Sequence, residues 1–200
     1  MVVDEDGKTV DGDAIMYVAG KYLKEKGLLN KDTVVSTVMS NIGLHKALEK
    51  ENIKLQVTQV GDKYVFDKMQ CENYSLGGEQ SGHIIFSKYA NTGDGVMSAL
   101  LLLKIMASKK KSIKELCEDL FIYPQVLINI RVENMKIIED QELKDLIKNI
   151  EKRLADQGRI LVRTSGTEPL IRVMLEAKTD ELCQEYANEV VELIQKKINK

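Results

Sequence analysis

"TVVSTVMSNIGLHKALEKENIKLQVTQV", residues Thr33–Val60, decides the fold. Its opening TVVSTV is a β-branched run suited to a buried, pleated surface. NIGLHKALEKEN then reads as a short helix, and KLQVTQV (Lys54–Val60) returns to strand chemistry. A strand, a helix and a strand in immediate succession point to an α/β layer with parallel neighbours.

Working outward, the pattern continues on both sides. Upstream, DGDAIMYVAGKYLKEKG is a helix whose expected N-cap is Asp13 and whose C′ residue is Gly27. Downstream, YVFDKMQCEN is another helix, and YSLGGEQSGHIIF is two short strands around a Gly-rich loop. GDGVMSALLLLKIMASKK is the most apolar helix, and SIKE (Ser112–Glu115) has the form of a capping box that opens one more. FIYPQV around Pro124 reads as a linker, because the residue before proline is pushed out of helix. After it the order changes to strand-helix-strand-strand-helix. The expectation is an α/β domain with a mostly parallel mixed sheet over 1–123, followed by a smaller α+β domain over 124–200.

Composition narrows the function. Lys and Arg total 29 against 31 Asp and Glu, so no basic excess favours a nucleic-acid surface. At 44% hydrophobic residues the chain buries a substantial core. The longest apolar run, ALLLLKIMA, is broken by Lys104 and is too short to span a bilayer, which takes about 20 residues. Cys71, Cys117 and Cys183 are far apart and are expected to be buried, reduced thiols. A soluble, cytoplasmic protein is expected. Ser36 and Ser40 have no His–Asp arrangement near them, and His45 is read as structural. Asp4, Asp6, Asp11 and Asp13 fit turn and cap roles better than a calcium loop.

Three loops carry more chemistry than a turn needs. RTSGTEP has Arg163 at a strand end, the hydroxyls of Thr164, Ser165 and Thr167, and Gly166 to admit an anion close to the backbone. That inventory suits a phosphate, although a polar hairpin tip with Arg163 paired to Glu168 has the same composition. In LGGEQSGH, Glu79 and Ser81 are two residues apart and point the same way in an extended segment, which suits adjacent sugar hydroxyls. A plain Gly-rich hairpin is the alternative. VGDKY places Asp62 and Lys63 off the end of a strand, where ligands of α/β sheets bind, or else as a helix cap and its solvated neighbour.

Together, VVSTVMSN (Val34–Asn41), VGDKYV, LGGEQSGHIIF, NTGDGVMSAL and GRILVRTSGTEPLIRVMLEA resemble the α-D-phosphohexomutases in order and spacing, over essentially the whole chain. The resemblance implies four domains around a cleft and interconversion of sugar 6-phosphates and 1-phosphates. It implies a phosphoserine that donates and reclaims a phosphoryl group through a bisphosphate intermediate, with Mg2+ in support. The substrate it favours is a hexosamine phosphate, with a glucosamine 1,6-bisphosphate-type intermediate; glucose or mannose phosphates are the alternative. By position, Glu79, Ser81, Asp62 and Lys63 would read the sugar. Arg163, Ser165, Gly166 and Thr167 would hold the non-reacting phosphate, with Thr164 at the variable position.

No segment resembles the family's phosphoserine loop or its magnesium loop. Catalytic residues and metal ligands are therefore expected in missing N-terminal domains of the same enzyme, and the isolated chain is expected to be inactive. Lys63 stands where relatives more often carry Arg, which keeps the charge and loses the bidentate fork. A sugar-phosphate-binding module without catalysis is the alternative from another class.

Overall fold

The computed structural model describes residues 2–166 and 168–198. These divide into two compact units, Met1–Ile122 and Tyr123–Lys200. Tyr123 is buried, and the carbonyl of Pro124 accepts from Ala177 N–H, which ties the start of the second unit to its own sheet.

The first unit opens with a hairpin of β1 (Val2–Val3) and β2 (Thr9–Val10). Asp4 builds its turn by accepting from the N–H groups of Asp6 and Lys8 at 3.0 and 2.8 Å. Helix α1 (Gly12–Glu25) follows, then β3 (Thr33–Thr37), α2 (Ile42–Lys50), β4 (Lys54–Thr58), α3 (Asp62–Glu72), β5 (Leu76–Gly78), β6 (Ile84–Phe86), α4 (Gly95–Lys109) and α5 (Ile113–Leu116). The sheet order is β4-β3-β5-β6, parallel except for β6, so the mixed, mostly parallel expectation holds. β3 lies inside the sheet with every residue buried, which is why its sequence does not alternate apolar with charged residues and is β-branched at every position but Ser36. One face of the sheet packs on α1, α2 and α4 through Val34, Leu76, Tyr17, Leu48 and Leu102. The other packs on α3 through Val35, Ile85, Val65 and Met69.

Two local expectations are corrected. The N-cap of α1 is Asp11, which accepts from Ala14 N–H at 3.0 Å. Asp13 lies in the first turn, wholly buried, and accepts from the N–H of Asn41 at 2.7 Å, so it joins α1 to the residue that caps α2. Likewise α3 is capped by Gly61, and Asp62 is its first residue. The other end of α1 is as read: Gly27 has φ +67° and its N–H meets Lys24 O, while Leu28 N–H reaches Leu23 O, closing a Schellman turn. The capping box at Ser112 and Glu115 forms in full.

The second unit is β7 (Gln125–Arg131), α6 (Gln141–Leu154), β8 (Gly158–Thr164), β9 (Leu170–Ala177) and α7 (Asp180–Ile198), with a short 3₁₀ turn at Met135–Glu139. Its sheet is antiparallel, with β9 central. Ile160, Val162, Ile171, Val173 and Leu175 share one face with residues of α6 and α7, including Leu143, Ile150 and Val190. All three cysteines are free, but only Cys183 is fully buried; Cys71 is exposed on α3, against expectation. Among the described residues no helix is long and apolar enough to cross a membrane.

Candidate functional site

In the first unit the parallel strands set the site. Because β3, β4 and β5 run the same way, their carboxyl ends open on one edge of the sheet. Gly61 follows β4 and Glu79 follows β5, and the fold brings them together: Gly61 N–H donates to Glu79 Oε1 at 3.0 Å. Gly61 has φ +130°, a conformation that L side chains rarely adopt, and this is how its N–H comes to face the carboxylate. Two of the three loops singled out in the sequence thus form one cluster.

The Gly-rich loop is itself held at several points. Glu79 N–H donates to His83 O at 3.0 Å, and Gly82 N–H to Glu79 O at 2.9 Å. From below, Gly12 N–H at the start of α1 donates to Gln80 O at 2.9 Å. A side chain there is impossible without movement, since a Cβ on Gly12 would lie 1.9 Å from the carbonyl oxygen of Glu79. The Gln80 amide reaches the Asp11 carboxylate at 3.5 Å, so this side chain serves the loop's attachment to α1. Ser81 and His83 are exposed, with Ser81 Oγ 3.5 Å from His83 Nδ1. Asp62 and Lys63 are exposed in the first turn of α3, where the Asp62 carboxylate accepts from Lys63 N–H at 2.8 Å. The cluster therefore centres on a partly buried carboxylate with Oε1 engaged by a backbone N–H.

In the second unit the hairpin β8–β9 carries the third loop. Ser165 N–H closes it on Leu170 O at 2.8 Å, and Leu170 N–H meets Glu168 O at 2.8 Å. Ser165 is buried, Gly166 is exposed with open space around its Cα, and Thr167 lies outside the described residues. Antiparallel register places Arg163 directly opposite Arg172. The Arg163 pKa is lowered, first by burial and then by the positive charge of Arg172. The Arg163 guanidinium reaches Thr164 O at 3.5 Å, a marginal hydrogen bond. Glu168 stands near the other arginine of the pair. Its carboxylate lies 3.7 Å from Arg172, whose Nε is buried without a hydrogen-bond partner among the described residues.

Arg172 is the residue that sequence reasoning passed over. Its signal was present in the alternation of PLIRVML, which puts position 172 on the face opposite the core residues Ile171 and Val173. What the alternation lacked was the register that sets it against Arg163. Two facing guanidiniums beside a loop of hydroxyls and a glycine concentrate positive charge and hydrogen-bond donors at this end of the hairpin.

Comparison with known proteins agrees across both units. Residues 11–123 match the family model "phosphoglucomutase/phosphomannomutase, alpha/beta/alpha domain III", and residues 127–193 match the model of the C-terminal domain of the same family. The phosphoglucosamine mutase of Shouchella clausii is 52% identical over 99% of this chain, which spans 45% of that protein. A solved structure of Aspergillus fumigatus N-acetylphosphoglucosamine mutase superposes with a TM-score of 0.82 at 22% identity, over 97% of this chain and 45% of that one. A second structure of that enzyme, in complex with GlcNAc-6P and magnesium, gives a TM-score of 0.79 at 22% identity over 95% of this chain and 45% of its own. The chain spans about half the length of the curated relatives it matches.

Proposed function

Since this chain belongs to the phosphoglucomutase/phosphomannomutase family, we propose that it is the C-terminal part of a phosphoglucosamine mutase, an isomerase that interconverts glucosamine 6-phosphate and glucosamine 1-phosphate. The observation that carries this reading is the cluster in which Gly61 N–H orients the Glu79 carboxylate at the carboxyl edge of the first sheet. Identity of 52% to a phosphoglucosamine mutase over 99% of the chain supports the amino-sugar branch of the family.

In this reading each unit contributes recognition. Glu79, held by one oxygen, accepts ring hydroxyl protons on the other, and the exposed Ser81 hydroxyl adds a second polar contact. Lys63 and Asp62 border the same cluster on the first turn of α3. Arg163, Thr164, Ser165 and Gly166, with Thr167, hold the phosphate that does not react. A phosphate near neutral pH carries about −1.5 to −2 charges, which a guanidinium and backbone N–H groups match with charge-assisted bonds. Binding energy gathered away from the reacting centre orients the sugar for phosphoryl transfer.

The transfer chemistry itself is assigned to the portion of the enzyme that the relatives possess beyond this match. Among the described residues no group of three or more His, Cys, Asp or Glu could hold a metal ion, and no magnesium ligand is assigned to this chain. Magnesium and a glucosamine 1,6-bisphosphate intermediate belong to the proposal for the whole enzyme, supported by the magnesium complex of the Aspergillus enzyme.

The test compares substrates. The full-length protein, with magnesium and bisphosphate activator, is expected to turn over glucosamine 6-phosphate in preference to glucose 6-phosphate, and the 200-residue chain alone to turn over neither. Preference for glucose or mannose phosphates would move the enzyme to the sister branch. Turnover by the isolated chain would refute its role as a recognition half.

A further inference from the structure

The second unit holds an arrangement that the phosphate-binding role does not by itself require. Arg163 and Arg172 are direct cross-strand neighbours on the same face of the sheet. Like charges so placed repel, and partial burial of both side chains leaves less water to screen them. Glu168, four residues before Arg172, is 58% exposed and brings its carboxylate to 3.7 Å from that guanidinium, which is 29% exposed. It sits at the rim of the loop, anchored by its own carbonyl, which accepts from Leu170 N–H. The three side chains together carry two positive charges and one negative.

Resting on the reading of this loop as the phosphate site, we propose that Glu168 is the loop's internal counter-ion. It neutralises Arg172 while the loop is empty and yields that guanidinium to the phosphate when ligand binds. The phosphate then meets both arginines, and the displaced carboxylate swings toward water, where its exposure lets it be solvated at little cost. An anchor that must release its ligand in every turnover gains from such a competitor: binding is weaker, and release is faster by a similar factor. The Arg163 side supplies attraction, and the Glu168 side limits it.

This assigns opposite signs to neighbouring residues, which a purely structural role for Glu168 does not. The 200-residue chain is titrated with inorganic phosphate at fixed ionic strength by ³¹P NMR. Glu168→Gln is expected to bind phosphate about two- to fivefold more tightly, as the removal of one exposed competing charge implies. Glu168→Asp keeps the charge and should stay within about twofold of the parent chain. Arg172→Gln should bind about tenfold more weakly, through loss of one charge-assisted contact. The Glu168 side chain is largely exposed, so its replacement opens no cavity, and circular dichroism serves to confirm the fold. If Glu168→Gln binds equally or more weakly while Arg163→Ala loses binding, the counter-ion assignment is wrong and the phosphate site stands. If Arg163→Ala also binds phosphate like the parent chain, the loop is no phosphate site and both assignments fall together.

Discussion

The two ends of the β8–β9 ladder use the same residue type for opposite ends. At one end Arg159 faces Glu176, with Nε–Oε2 2.7 Å and Nη2–Oε1 3.1 Å, and the carboxylate is completely buried. At the other, one apolar pair further on (Leu161 opposite Met174), Arg163 faces Arg172. The first pair is complete within the fold and needs nothing more. The second concentrates positive charge beside a loop of small polar residues. A sheet face that matches opposite charges at one end and like charges at the other is reinforced at the first and strained by repulsion at the second.

The largest effect should come from breaking the complete pair. Glu176→Ala removes the buried carboxylate from the Arg159 guanidinium, which is only 22% exposed, and should destabilise the second unit by about 3–5 kcal/mol in urea unfolding. Replacing both partners with Met and Leu should recover much of that loss. A cost under about 1 kcal/mol for the single change would show that the two ends differ less than the geometry says.

Next in size is loss of the anion anchor proposed at Arg163. Arg163→Ala should weaken phosphate or sugar-phosphate binding by about 1.5–3 kcal/mol, roughly ten- to a hundredfold, with the fold retained. Calorimetric titration of the folded variant checks this, and unchanged affinity would reduce the Arg163 end to a structural oddity.

A smaller effect extends the comparison to the first unit, where charge meets backbone. Glu79→Gln in the full-length enzyme should weaken glucosamine 6-phosphate binding by about 1.4 kcal/mol, or tenfold, through loss of charged acceptance. Inorganic phosphate binding should be unaffected, because the carboxylate is assigned to the sugar. Equal loss for both ligands would make the Gly61–Glu79 contact a purely structural one.

The smallest effect concerns stability at the Arg163 end. Removing one of two facing guanidiniums relieves repulsion, so Arg163→Met should leave the unliganded second unit equally stable or about 0.2–1 kcal/mol more stable. Raised salt should shrink the difference, since screening weakens the same repulsion. A clear loss of stability would mean that Arg163 is held by contacts which outweigh its charge.

Most elements of the fold were legible because their periods are strong. The buried run TVVST, the β-branched character of β7 and the clean caps at Ser112 and Gly27 each read out locally. The hairpin of Val2–Val3 and Thr9–Val10 escaped because two-residue strands have no period to detect. The capping of α1 was misplaced because Asp11 and Asp13 both have the chemistry of a cap. Only the approach of Asn41, distant in sequence, makes Asp13 the buried acceptor and leaves the cap to Asp11.

The same division runs through the site. Which residue types are present, and that they sit at or just after strand ends, followed from the sequence alone: Glu79 and Ser81 in a Gly-rich turn, Arg163 at a strand end and Ser165 in the turn beyond it. Local propensity and alternation depend on near neighbours, and these are printed in the chain. Tertiary structure alone decided the partners. It set Gly61 N–H on Glu79, Gly12 beneath Gln80, and Arg172 against Arg163 with Glu168 beside it. Each of these depends on strand order or register. Those are fixed by how whole hydrophobic faces pack, and a shift of one residue would turn every side chain of the strand to the opposite face.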